Sequence, residues 1–133
     1  MLQKLNSRRG GFTLVEIMIV VAIIALLAAI AVPNFLRARK RSQATRVLED
    51  LRMIDSAIDQ YAIETNKTTG ATVSWTDVKA YLKTGSALYN SNGADLFGNP
   101  FGGLTVDTLP SVPPVTKTAL SDVAPAAFWS PFQ

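Results

Sequence analysis

Residues 17–36 carry no charged side chain; the run opens after Glu16 and closes before Arg37. As a helix rising about 1.5 Å per residue, the run spans ~30 Å, the thickness of a bilayer core. A segment this long and this apolar must be covered by lipid or by other apolar helices. Glu16 stands at its edge. A carboxylate inside a spanning helix costs about 2.5–3.5 kcal/mol on insertion scales and usually has a partner or a function. The plainer alternative is that Glu16, near one end, reaches toward the headgroups.

The chain has 133 residues, enough for one small domain beyond that segment. Roughly 70 residues follow the helical region, a marginal length for an independent core. Cys and His are both absent. That removes disulfides, thiol chemistry, the usual general base and the commonest metal ligand. The net charge of +3 is not a nucleic-acid signal, because the basic residues cluster. Lys4, Arg8 and Arg9 precede the apolar run, and Arg37, Arg39, Lys40, Arg41 and Arg46 follow it. From Val47 onward there are five basic and nine acidic residues. Basic flanks of this kind suit membrane headgroups or neighbouring acids better than a DNA groove.

A basic start followed by an apolar run has more than one meaning. A secretory signal is supported by Ala29-Ile30-Ala31, an A-x-A site, and opposed by Glu16 and by the length of the run. A plain single-pass anchor is the second reading, although the basic residues at 37–41 slightly favour the wrong end for an exported C-terminus.

The third reading rests on RRGGFTLVE, residues 8–16, which resembles the leader junction of type IV pilins and type II secretion pseudopilins. The following IMIVVAIIALLAAIAVPNF matches that family in length and in the place of Pro33. The likeness covers roughly residues 8–60. It implies that a prepilin peptidase cuts between Gly11 and Phe12 and that the new Phe12 amine is methylated. It also implies that Glu16 pairs with the amine of an adjacent subunit during assembly. Loss of Lys4, Arg8 and Arg9 would leave ten basic and ten acidic side chains. Such a pair is weak evidence for stability, but it fixes register, since a misplaced subunit leaves a buried charge alone.

The expected architecture is α+β: a long N-terminal helical spine and a small C-terminal domain of a short helix and few antiparallel strands. The expected divisions are a leader at 1–11, an apolar helix at 12–36, an amphipathic half at 37–65 and a globular domain at 66–133. Pro33 predicts a kink or break, since it lacks an amide donor and clashes with the carbonyl of Ala29. In filaments of the family the helix often melts near here. This chain has Ala25 where many members have Gly, which favours helix.

Beyond Pro33, Ala44, Val47, Leu48, Leu51, Ile54, Ile58, Tyr61 and Ala62 follow three-four spacing. That stripe predicts packing against the chain's own domain, with a coiled-coil partner as the lesser reading. Arg46 with Asp50, and Glu49 with Arg52, are expected to pair on the opposite face. SWTDVKAYLKTG (74–85) predicts a short helix capped by Ser74 or Thr76 and ended by Gly85. GLTVDTL (103–109) predicts a strand with Leu104, Val106 and Leu109 inward. PSVPPV is expected to be irregular or extended. Phe128, Trp129 and Phe132 are expected to close over the core.

DLFGNPFG (95–102) looks like a loop of the major pseudopilins, although Gly98-Asn99-Pro100 is also an ordinary turn. Some of those proteins bind calcium in a C-terminal loop. Asp95, Asp107 and Asp122 are oxygen donors, but their spacing is not that of a continuous calcium loop, so no ligands are assigned.

The function expected is a structural subunit of a type IV pilus-like filament, with a type II secretion pseudopilin as the alternative. A secreted or anchored binding domain is the alternative of another class. No enzyme motif, catalytic residue, cofactor or metal site is expected. Implied partners are the prepilin peptidase, identical or related subunits and an inner-membrane assembly platform, with no nucleic acid. Implied location is the bacterial inner membrane with the C-terminal domain outside the cytoplasm, then a periplasmic or surface filament.

Overall fold

The computed structural model describes residues 10–133. The expected leader at 1–11 therefore lies outside the described residues except for Gly10 and Gly11. The chain divides into two compact units, one up to Leu36 and the other Arg37–Gln133.

The first unit is the apolar half of α1 (Leu14–Thr65), which begins two residues after Phe12. The helix is long and apolar enough to cross a membrane, and none of the described residues buries its apolar stretch. Leu14, Met18, Ile24, Leu27 and Phe35 are all exposed. Pro33 lies inside the helix without ending it, so the break admitted by the sequence does not occur. One missing amide removes a single hydrogen bond. Ala, Ile and Leu on either side are residues a helix accepts well.

The second unit is built on the other half of α1. Ala44, Val47, Leu48, Leu51, Ile54, Ala57 and Ile58 form the buried stripe, with Tyr61 and Ala62 half-buried at its end. The three-four spacing thus packs against the chain's own domain. Each large side chain so buried contributes about 1.5–3 kcal/mol. The helix stops where Asn66 turns left-handed at φ 49. There the Lys67 N–H donates to the Ala62 carbonyl at 3.0 Å, the closing bond of a Schellman end.

The remaining elements are short. β1 (Thr72–Val73) pairs antiparallel with β2 (Leu104–Thr105), Thr72 opposite Thr105 and Val73 opposite Leu104. Between them lie α2 (Trp75–Lys79) and α3 (Ala87–Asn90). Ser74 caps α2 in a reciprocal box with Asp77, and the helix ends at Lys79, well before Gly85. Its buried anchor is Val78, while Tyr81 and Leu82 are half-buried. Trp75 lies over Gly93, where φ is +84 and a Cβ would come within 3.1 Å of the indole. A side chain there would meet both the ring and the backbone preference.

Two further expectations are corrected. Leu109 is exposed: five residues from Leu104, it is out of phase with the inner face of a strand, and β2 has in any case ended at Thr105 before Asp107 turns left-handed. The proline-rich stretch is only partly irregular, since α4 (Pro114–Ala119) starts on its last proline, where a missing N–H is no loss. A 3-10 turn, Ala126–Trp129, then brings Trp129 and Phe132 into the core. Phe128 stands edge-on to Trp129 at 5.1 Å, and the Val112 N–H donates to the Phe132 carbonyl at 3.1 Å.

Candidate functional site

The N-terminal segment holds the residues singled out for processing and assembly. Gly10 and Gly11 are exposed, and a Cβ on either would meet no atom within 4 Å. Phe12 is 84% exposed. The Gly11–Phe12 bond therefore lies in an open, side-chain-poor stretch just before the first helical turn, where an enzyme can reach it. Thr13 is the residue at which the helix starts. Its Oγ1 accepts from the Glu16 N–H at 3.2 Å, and its own N–H donates to the Glu16 carboxylate at 3.0 Å. The Ile17 N–H donates to the Thr13 carbonyl at 3.3 Å and closes the first turn.

This reciprocal pair is a capping box. It satisfies two of the amide donors that a helix start leaves without an intrahelical partner, which matters most where no water is at hand. Glu16 thus has an intramolecular partner in the single chain. Thr13 went unread in the sequence, although Thr13-Leu14-Val15-Glu16 has the Thr-x-x-Glu spacing that signals such a box. Phe12 precedes this first turn and Glu16 lies in it, and Pro33 lies far along the same helix.

The acidic candidates are not brought together. Asp95 is buried and pins its own loop: Oδ1 accepts from the Phe97 and Asn99 N–H groups, each at 2.9 Å. Its other oxygen accepts from the hydroxyl of buried Thr116 on α4, which in turn accepts from the Asn99 amide at 2.8 Å. Asp107 accepts from Thr69, and Asp122 pairs with Lys40. Among the described residues no three acidic side chains gather as a metal cage would need. The pseudopilin-like loop is thus held by its own aspartate.

The expected helix-face pairs are also absent, since Lys40 with Asp122 is the only ion pair among the described residues. Asp50 turns instead to the buried side. Burial pushes its carboxyl upward, against the favourable charge of Arg46. Together with Ser42, Glu49, Ser86 and Leu88, Arg46 and Asp50 line an open groove of ≈ 510 Å³.

A profile described as the prokaryotic N-terminal methylation motif matches residues 6–32. A type IV major fimbrial protein FimA of Dichelobacter nodosus is 38% identical over 104 residues, 77% of this chain and 64% of that protein. The type IV wide pilus major component PilA4 of Thermus thermophilus is 48% identical over 59 residues, 44% of this chain and 45% of that protein. The type II secretion system core protein G of Aeromonas hydrophila is 32% identical over 62 residues, 47% of this chain and 43% of that protein. The chain therefore spans less than two thirds of the length of these relatives. No solved structure matches. With the methylation motif at the start of α1, an uncovered apolar half-helix and relatives of both kinds, the chain belongs to the type IV pilin and type II secretion pseudopilin family.

Proposed function

We propose that this protein is a structural subunit of a type IV pilus-like filament, cut between Gly11 and Phe12 by a prepilin peptidase and assembled through its apolar half-helix. One observation carries the reading. The apolar part of α1 is exposed all round up to Leu36, while the stripe from Ala44 to Ile58 is buried by the chain's own domain. Exposed apolar surface on this scale needs lipid before assembly and other helices after it. The N-terminal amine released at Phe12 would lie beside Glu16, and a neighbour's carboxylate would supply its counter-charge. A structural role leaves the acids free to serve packing, as Asp95 does. The chain would sit in the inner membrane with its second unit outside the cytoplasm until an assembly platform extracts it.

The mass and N-terminal residue of the mature chain test this reading. A start at a methylated Phe12, lost when Gly11 is replaced by a larger residue, supports it. A start at Val32 would mean signal cleavage after Ala31 and a secreted domain. A second reading, a type II secretion pseudopilin, draws on the Asp95–Pro100 loop and on the likeness to core protein G. Filaments on the cell surface without a secretion defect favour the pilus; the reverse favours the pseudopilin.

A further inference from the structure

The second unit buries two acids, Asp95 and Asp50. Both oxygens of Asp95 accept hydrogen bonds. Asp50 is 9% exposed, yet among the described residues it has neither a hydrogen-bond donor nor an ion-pair partner. Unpartnered side-chain atoms sealed from solvent are confined, among the described residues, to the Trp75 and Trp129 indole nitrogens, so the Asp50 oxygens open onto space. That space is made by two clefts that share Arg46, Asp50, Ala87 and Leu88 as walls. One is the groove of ≈ 510 Å³; the other, of ≈ 330 Å³, reaches Ser91 and Asp95.

A carboxylate taken out of water without a donor is costly, and an orphan of this kind calls for an explanation. Burial pushes the Asp50 carboxyl upward; Arg46 opposes this, while the Glu49 and Asp95 charges add to it. Arg46 does not close on Asp50 as an ion pair. It precedes Asp50 by four residues, and a base before an acid is the weaker order on a helix. The walls carry three acids, Glu49, Asp50 and Asp95, against the one base. They suit a cation. A divalent metal fits poorly, since it takes about six to eight oxygens. Among the described residues no three acids gather, and Asp95 is already engaged. Met53 and Leu88 give the larger cleft an apolar side, and Ser42 and Ser86 add hydroxyl acceptors.

We propose that this cleft is a binding site for one nitrogen cation on an alkyl stem, an alkylammonium or alkylguanidinium ion, whose N–H groups donate to Asp50 while the stem lies along Met53 and Leu88. Hydrogen bonds from a charged donor to a carboxylate are the strong kind, and a half-dry cleft strengthens them. The same chemistry is carried by a free amine and by a Lys or Arg side chain of another copy. The site lies within one chain, so it stands apart from the filament reading.

Titration of the processed full-length chain in detergent with butylguanidinium or butylammonium, read by NMR at the Ala87 and Leu88 amides, tests the site. Saturable one-to-one binding is expected, and butylurea, of similar shape without the charge, should not compete. Asp50→Asn keeps the shape and should weaken binding at least about tenfold, the loss of one charge-assisted hydrogen bond. The same variant should be no less stable at neutral pH, because it removes a buried charge; that separates a binding role from a structural one. Acid should weaken binding as Asp50 takes up a proton beside Arg46, Glu49 and Asp95. Arg46→Gln should tighten it by removing a like charge. In assembled filaments, a cleft closed to the probe and reopened by replacing one Lys or Arg takes a neighbour's side chain, and a cleft still open takes a free amine. Binding that is not saturable, or that survives Asp50→Asn unchanged, overturns the proposal. So does binding that appears only after Arg46→Gln, since Arg46 would then fill the cleft itself.

Discussion

Lys40 Nζ lies 2.9 Å from a carboxylate oxygen of Asp122, joining α1 to the turn after α4 across 82 residues of sequence. The hydrogen bond from Lys40 holds the Asp122 carboxyl below the usual carboxylate range. The folded value being depressed, the contribution is present above the unfolded pKa of about 3.9 and fades as pH falls through the folded value. Both side chains are about half exposed, so solvent screens the pair. Asp122→Asn should leave the melting temperature near neutral pH almost unchanged. It should also flatten the acid side of the stability profile. A large loss of stability at neutral pH would contradict this.

Trp129 is fully buried and its neighbour Phe132 nearly so. Trp129→Ala should destabilise the second unit by about 3–5 kcal/mol, as for other large aromatic truncations in cores. Chemical denaturation of a fragment starting near Ala44 measures it. A truncation after Asp122 should do more, because it also removes the Phe132 carbonyl that receives the Val112 N–H. Equal midpoints with and without the tail would mean the aromatics form a contact surface.

Asp95 and Thr116 share a buried hydrogen bond between the Gly98 turn and α4. Thr116→Val keeps the shape but leaves a carboxylate oxygen of Asp95 without that donor. It should cost about 1–3 kcal/mol, the usual penalty of an orphaned buried polar group. Amide exchange at Phe97 and Asn99 should also quicken. Unchanged exchange would show that the loop is held by its backbone alone.

At the other end, Thr13 and Glu16 cap one another. Thr13→Val removes the hydroxyl acceptor and leaves the Glu16 charge. Processing at Gly11 should continue, while the first turn frays, a loss of about 1 kcal/mol typical of a removed cap. Glu16→Ala should insert in the membrane at least as well as before, yet leave a neighbour's Phe12 amine without its counter-charge. Counting filaments from fully processed variants separates the two roles. Loss with Glu16→Ala and Glu16→Gln, but not with Thr13→Val, points to charge. Loss with Glu16→Ala and Thr13→Val, but not with Glu16→Gln, points to the cap.

The sequence by itself determined the long helix, its apolar half and the stripe from Ala44 to Ala62. Those are periodic features written over many residues, and burial then follows from spacing alone. Ser74 as a cap and the inward tail aromatics were legible for similar local reasons. The tertiary structure decided what short range could not. β1 and β2 are two residues each, and the pairing of Val73 with Leu104 exists only because the chain returns past α2 and α3. Asp50 has the spacing of a surface ion pair but faces inward, since which side of the helix is covered depends on where the later segments lie. Asp95 reads as a candidate ligand in sequence and becomes a pin once Thr116, 21 residues on, is folded against it. Local patterns fix which residues are apolar or capping; only packing fixes which polar atoms meet.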